Sequence, residues 1–198
     1  TAWWLASGRF HPATLVLALG FAVFTGLGIT AGYHRLFSHR SYAARWPVRL
    51  VYLLAGSAAL EESVLQWARD HRRHHRYVDR DGDPYSITGG FWHAHFLWMF
   101  HKRALEPGER WPVDLWRDPL VRWQHRFYRP SVAVLGFALP AGLAWTWGDP
   151  WGGFLVAGVL RMVINHHLTF SINSICHRFG SRPYSVRHTA RDNAVTAL

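Results

Sequence analysis

Three stretches of the chain are apolar over lengths that suit a lipid bilayer. Residues 13–33 and 131–148 carry no charged side chain, and residues 151–173 carry only one, Arg161. An α-helix rises about 1.5 Å per residue, so about 20 apolar residues cross the hydrocarbon core of a membrane. The pattern therefore predicts three spanning helices. The short turn 149–153 predicts that the second and third of them form a hairpin.

The segments between these stretches are more polar. Residues 48–68 contain an apolar run that is too short to span and is interrupted by Glu61 and Glu62. This pattern indicates one helix that dips into the membrane or lies on its surface. Residues 69–129 are aromatic, basic and broken by prolines, and we expect them to form a helical layer outside the bilayer. The fold class that follows is an all-α, integral-membrane helical bundle, with residues 1–198 forming a single domain.

The distribution of positive charge orients this bundle. The chain has 22 Lys and Arg against 12 Asp and Glu, a formal net charge of +10. Residues 35–129 hold 16 of the 22 basic residues, whereas residues 10–33 and 130–148 hold none. Such segregation is typical of membrane proteins, whose cytoplasmic loops are rich in Lys and Arg, and it argues against a nucleic-acid binder. The layer 69–129 and the residues from 178 onward are therefore predicted to be cytoplasmic.

Histidines concentrate in two short motifs near the predicted cytoplasmic helix ends. In HRRHH, residues His71, His74 and His75 stand at positions i, i+3 and i+4, which share one face of a helix. In GYHRLFSH, residues His34 and His39 are five apart, and on a regular α-helix they would diverge by about 140°. This second spacing indicates either a helix end or two ligands that serve different metal ions.

A further polar stripe ends the last apolar stretch. Asn173 and His177 are four residues apart and share one helix face, and polar groups on a membrane helix usually face a bundle interior or a site. Imidazole ligands without thiolates suit iron, zinc, copper or nickel. The sequence lacks the Glu-x-x-His motif of soluble di-iron bundles, and its one cysteine, Cys176, excludes a zinc site built on several thiolates.

Three segments carry a resemblance to a known family. GITAGYHRLFSHRSY, WARDHRRHHRYVDRDGDPYS and NSICHRFGSRPY resemble the first two histidine boxes and the downstream Asn/His helix of integral-membrane acyl-CoA desaturases of the stearoyl-CoA Δ9 type. Order, spacing and flanking residues all agree, from about residue 25 to the last residue. The resemblance implies two iron ions surrounded by nine histidines and one asparagine that acts through water. The matching positions are His34, His39, His71, His74, His75 and His177, with Asn173 as the water-mediated ligand.

Further residues and a further motif are expected besides these ligands. The remaining three histidines of the family belong to a third box, which we expect just after Leu198, so we interpret the chain as a fragment. Zinc can occupy the iron sites of purified protein. Trp67 and Phe170 are candidate walls of the acyl tunnel, and Lys102 and Arg103 match a basic pair that could bind the phosphates of CoA. Asp70 is a candidate for orienting a ligand histidine.

The implied reaction is the O2-dependent removal of two hydrogens from a saturated fatty acyl chain, which leaves a cis double bond, in acyl-CoA at the Δ9 position. The implied partners are fatty acyl-CoA, O2, membrane lipid and an electron donor such as cytochrome b5, ferredoxin or rubredoxin with its reductase. An unactivated C–H bond offers no acid–base handle, so a cofactor must supply the oxidising power.

Two alternatives remain open on the sequence alone. The same scaffold could hydroxylate the acyl chain, or act on an acyl lipid rather than on acyl-CoA, and the product mass separates hydroxylation from desaturation. The chain could instead be a non-enzymatic, histidine-rich binder of anionic lipid or nucleic acid. That alternative predicts solubility without detergent and steeply salt-dependent binding. The uncharged stretches 13–33 and 131–148 argue against it.

Overall fold

The protein is built from helices. The computed structural model describes residues 6, 8, 11–101, 110–183 and 189–196, and among these residues no β-strand occurs. This confirms the all-α fold class. In chain order the α-helices are α1 (Pro12–Leu27), α2 (Trp46–Ala59), α3 (Val64–Tyr77), α4 (Phe91–His95), α5 (Val113–Trp116), α6 (Pro119–Arg126), α7 (Tyr128–Ser131), α8 (Leu139–Trp145), α9 (Pro150–Gly152) and α10 (Arg161–Arg178). Three π-helical segments continue these helices: Gly28–Ser38 follows α1, Val132–Ala138 joins α7 to α8, and Gly153–Leu160 joins α9 to α10.

Long apolar helices are the membrane-spanning elements of this fold. Within the described ranges, two helical stretches are long and apolar enough to cross a bilayer, Pro12–Ser38 with 27 residues and Pro150–Arg178 with 29 residues. A third candidate is a pair of helices, Pro119–Arg126 and Tyr128–Trp145, bent by 73°. All three overlap the apolar stretches of the sequence, and they identify an integral membrane protein.

The chain divides into two compact units. The first unit comprises Thr1–Ala68 and Trp111–Asn165, and the second comprises Arg69–Arg110 and His166–Leu198. Two of the three boundaries between the units fall inside a helix, because α3 and α10 each begin in the first unit and end in the second, and the third lies between Arg110 and Trp111, before α5.

Small residues allow close helix packing in the first unit. α2 packs against the π-helix that follows α1. The ring of Tyr33, which is fully buried, lies directly over Gly56, where an added Cβ would stand 2.2 Å from the ring. A larger residue at position 56 would therefore displace Tyr33 and the neighbouring backbone of His34.

The segment 48–68 differs from its prediction as one helix. The structure has two helices there, because the chain turns between α2 and α3 at Leu60 and Glu62, whose φ angles are 62° and 72°. The start of α3 is fixed by Gln124, whose side-chain oxygen accepts a hydrogen bond from the N–H of Val64 at 3.1 Å. The acidic pair that interrupts the apolar run therefore marks a turn that starts a new, histidine-bearing helix.

A buried arginine joins three elements of the first unit. Arg161 is only 2% exposed. Its guanidinium donates hydrogen bonds to the carbonyl oxygens of Ala58 at 2.9 Å, Gly136 at 3.0 Å and Ala157 at 3.1 Å. The charged side chain inside an apolar stretch is thus paired with backbone carbonyls, as charged groups in membrane helices often are.

The second unit has an aromatic core. The rings of His74 and Tyr85 lie 4.7 Å apart, those of Tyr85 and Trp98 lie 5.3 Å apart, and those of Trp98 and Phe170 lie 5.8 Å apart. This row of rings connects α3 to α10 within the unit.

Candidate metal centre

His34 lies on the π-helix after α1, in the first unit, and His39 is the residue that caps the end of that helix. A π-helix pairs residue i+5 with residue i, and here the N–H of His39 donates to the carbonyl of His34 at 2.9 Å. The wider turn brings residues five apart to nearly the same face, so the two ring centroids are 4.5 Å apart. The spacing that would separate these imidazoles on an α-helix therefore brings them together here.

His71 and His75 lie one turn apart on α3, in the second unit. Their Nε2 atoms face each other at 3.1 Å. Two imidazoles bound to one ion at about 2.0–2.1 Å place their nitrogens about 3 Å apart, so the pair fits a shared metal ion. These residues belong to a group of histidines that could hold a metal ion.

His74 and His177 form a second, buried pair in the same unit. Their ring centroids are 5.3 Å apart, and they are 7% and 9% exposed. Nδ1 of His74 lies 2.9 Å from both carboxylate oxygens of Asp83, and Nδ1 of His177 lies 2.8 Å from Oδ2 of Asp79. A carboxylate only accepts hydrogen bonds, so each imidazole donates from Nδ1 and leaves its Nε2 for another partner.

The Asp79 carboxyl is held in its ionised form. Burial alone would raise its pKa, but hydrogen bonds from Thr189, from His177 and from the N–H of Ile87 lower the pKa below its usual value. The carboxylate is therefore a permanent acceptor at neutral pH.

The remaining predicted site residues are placed as follows. Asn173 is half-buried on α10, one turn before His177. The ring of Trp67 lies 6.2 Å from that of His34. Phe170 is 5% exposed in the aromatic core of the second unit. Lys102 and Arg103 lie outside the described residues.

Sequence reasoning missed the acids that orient the histidines. Asp70, the candidate from the sequence, accepts a hydrogen bond from Arg69 at 2.6 Å, and its role toward a histidine stays a prediction. His74 and His177 contact Asp83 and Asp79. The signal was present as DRDGDPY, an acidic segment directly after the second box. The sequence alone does not reveal the pairing, because the contacts are made across a loop rather than along one helix face.

A second polar group missed by the sequence involves a histidine outside the boxes. His95 on α4 is buried, and its two ring nitrogens lie 2.9 Å from Oγ of Ser174 and 2.9 Å from Nδ1 of His167. Burial, reinforced by His167, lowers the pKa of His95, so this imidazole is neutral at physiological pH.

These features define a class: an integral membrane protein whose helices present histidines in arrangements suited to metal binding. Comparison with known proteins narrows the class. Residues 10–198 match the family model described as fatty acid desaturase. The chain therefore belongs to the fatty acid desaturase family, whose members generally depend on two irons.

Individual relatives agree with this assignment. The chain is 44% identical over 189 residues to "Probable acyl-CoA desaturase" of Schizosaccharomyces pombe, and the aligned region covers 93% of the chain and 39% of the relative. It is 38% identical over 196 residues to stearoyl-CoA desaturase 5 of Homo sapiens, covering 96% and 59%. It is also 38% identical over 197 residues to a Delta(9)-fatty-acid desaturase of Caenorhabditis elegans, covering 96% and 58%. The chain thus spans about two to three fifths of the length of these relatives.

Proposed function

We propose that the protein carrying this chain is a di-iron, O2-dependent desaturase that introduces a cis double bond into a saturated fatty acyl-CoA, at the Δ9 position. The single observation that carries the proposal is that each of the two histidine boxes in this chain presents a pair of neighbouring imidazoles, His34 with His39 and His71 with His75. The names of the relatives support the substrate class.

The proposed ligands are the box histidines His34, His39, His71, His74, His75 and His177, with Asn173 acting through water. Facing Nε2 atoms support a shared ion for His71 and His75. Ring proximity, together with the carboxylates held at both Nδ1 atoms, supports a second ion for His74 and His177.

The first histidine box is included in the proposed ligand set because of its match to the family. His34 and His39 stand in GYHRLFSH, the segment that resembles the family's first box, and their ring centroids are 4.5 Å apart. We therefore infer that both residues are metal ligands.

Bound iron would supply the power to oxidise an unactivated C–H bond. The chain's own residues would hold that chemistry in place. The imidazoles present Nε2 atoms fixed by their helices, and Asp79 and Asp83 hold the Nδ1 protons of His177 and His74. Trp67 and Phe170 would wall an apolar tunnel that positions the acyl chain and excludes water from it.

The substrate's head group and the electron donor involve other parts of the chain. We propose that Lys102 and Arg103 bind CoA phosphates, since phosphates favour Lys and Arg partners. The donor would be cytochrome b5, ferredoxin or rubredoxin with its reductase. We place the histidine boxes on the cytoplasmic side of the membrane, because residues 35–129 carry most of the basic side chains.

The test is expression of the complete protein in a host whose own Δ9 desaturation is disabled, fed with deuterated stearate. We expect a monounsaturated product that has lost two deuterium atoms, and no such product from His75→Ala. His101→Gln, at an exposed histidine outside the boxes, is the matched control and should keep the product. A product that has gained oxygen would indicate a hydroxylase. No change in the fatty acids, with the protein present in the membrane, would contradict the proposal.

A further inference from the structure

The loop after α3 connects two candidate metal ligands that are distant in sequence. We propose that Asp79 and Asp83 are positioning residues that act as one unit: together they fix the ring orientation and the tautomer of His177 and His74, and so set the affinity of one of the two metal sites. The proposal rests on the proposed metal site and deepens it, since the family motifs do not assign these carboxylates.

Burial and distance support a dedicated role for both acids. The side chain of Asp83 is fully buried and that of Asp79 is 3% exposed. Each contacts a histidine at 2.9 Å or less, although His74 lies on α3 and His177 on α10. Buried carboxylates are rare unless paired, so a partner of the imidazole is the expected role for each.

The two carboxylates are also joined to each other. The N–H of Asp79 donates to Oδ2 of Asp83 at 2.8 Å, and the N–H of Tyr85 donates to Oδ1 of the same carboxylate at 3.2 Å. The other oxygen of Asp79 accepts from the N–H of Ile87 at 3.0 Å. A shift of either carboxylate would therefore be transmitted to the other through the loop backbone.

The loop is additionally tied to the histidine helix itself. Nε of Arg73 donates to the carbonyl of Gly82 at 2.6 Å. Gly82 and Asp79 both have left-handed backbone angles, with φ of 101° and 53°. A non-glycine residue with positive φ is uncommon, and such strain persists only where the surrounding contacts determine it. The contacts described above are those that determine it here.

The chemical consequence is a fixed tautomer. A carboxylate at Nδ1 keeps the proton on that nitrogen, leaves the lone pair on Nε2, and makes the imidazole a stronger ligand. Substitution of Asp by Asn keeps the size of the side chain but removes the charge and one of the two accepting oxygens. The ring then loses both its electrostatic partner and part of its orientation.

The experiment measures metal binding rather than turnover. The complete protein is purified in detergent, stripped of metal and titrated with Co2+, whose visible absorption reports the geometry of each site. We expect Asp79→Asn and Asp83→Asn each to weaken binding at one of the two sites by about 10–100-fold, with the other site close to wild type. The double variant should lose less than the product of the two single losses, because the two acids share one ion.

The same loop offers a matched control. Asp81 is an exposed acid between the two positioning residues, and Asp81→Asn should leave both sites unchanged. Asp79→Glu and Asp83→Glu restore the charge and should recover part of the affinity. Thermal unfolding of the metal-free variants identifies any that fail to fold. If either Asp79→Asn or Asp83→Asn fails to fold, the metal affinity of the other decides the result.

Three outcomes would overturn the inference: unchanged affinity in both folded Asn variants, equal weakening by Asp81→Asn, or no Co2+ bound by the wild-type histidines. A wild type that binds Co2+ as expected but makes no unsaturated product would instead contradict the proposed function alone.

Discussion

The two units use their buried polar side chains for different purposes. In the first unit, Arg161 and Gln124 are buried and satisfy mainly backbone and hydroxyl groups: Arg161 pairs three carbonyls, while Gln124 contacts the N–H of Val64 and two hydroxyls. In the second unit, the buried acids Asp79 and Asp83 contact histidine rings. Arg161 and Gln124 therefore stabilise the fold, whereas Asp79 and Asp83 contact histidines that we propose as metal ligands.

The largest predicted effect follows from removing Arg161. Arg161→Met leaves three buried carbonyls without their donor, at about 1 kcal/mol or more for each, so we expect a loss of about 3 kcal/mol in the free energy of unfolding. Thermal unfolding in detergent, followed by circular dichroism, measures it.

The control for this variant is Arg117→Met, at an exposed arginine of the same unit. It should change the stability by about 0.5 kcal/mol or less. Equal unfolding temperatures for the two variants would show that the Arg161 contacts contribute nothing to the fold.

An intermediate effect separates two adjacent histidines. His74→Ala removes a predicted ligand and also leaves the buried carboxylate of Asp83 without its imidazole, so we expect loss of metal and about 1–2 kcal/mol of stability in the metal-free protein. His75→Ala should lose metal alone, because His75 is exposed and its Nε2 faces another imidazole, that of His71. Iron content and the unfolding temperature of the metal-free protein provide both readouts.

Two results would contradict the predictions for these variants. If the metal-free forms of His74→Ala and His75→Ala unfold at the same temperature, the Asp83 contact does not stabilise the loop. If His75→Ala retains the full metal content, His75 is not a ligand.

The smallest predicted effect is a pH dependence outside the site. Burial, with His167 nearby, lowers the pKa of His95 in the folded protein, so the folded state binds fewer protons there than the unfolded state. Stability from this group is present above the unfolded pKa of about 6.5 and is lost as the pH falls below it. His95→Gln should therefore flatten the decline of the unfolding temperature between about pH 6.5 and pH 5.

His101→Gln tests whether this decline belongs to His95. His101 is exposed, and its Nδ1 contacts only the nearby carbonyl of Leu97 among its described hydrogen bonds. This variant should retain the wild-type decline. A wild-type slope in His95→Gln would assign the acid sensitivity to other groups.

Much of the fold is predictable from the sequence, because long uncharged stretches predict membrane helices. The turn at Leu60 and Glu62 is not, since left-handed angles at non-glycine residues carry no composition signal. The partners of Arg161 cannot be predicted from the sequence either, because every residue has a backbone carbonyl and nothing in the sequence indicates which carbonyls accept its hydrogen bonds.

The candidate site shows the same division. The spacing of His71, His74 and His75 on one helix face is local and could be predicted. The proximity of His34 and His39 depends on a π-turn, which the pattern of residues does not distinguish from an α-helix. The pairing of Asp79 and Asp83 with histidines requires a folded loop. The ligand roles themselves stay predictions.

The central claim is tested most directly by diffraction from crystals of the iron-loaded protein, with an anomalous difference map calculated at the iron edge. We predict two peaks, one for an iron bound to Nε2 of His71 and His75 and the other for an iron bound to Nε2 of His74 and His177. The Nδ1 atoms of His74 and His177 should still donate hydrogen bonds to their carboxylates. A map with iron bound away from these imidazoles, or bound through their Nδ1 atoms, would contradict the account.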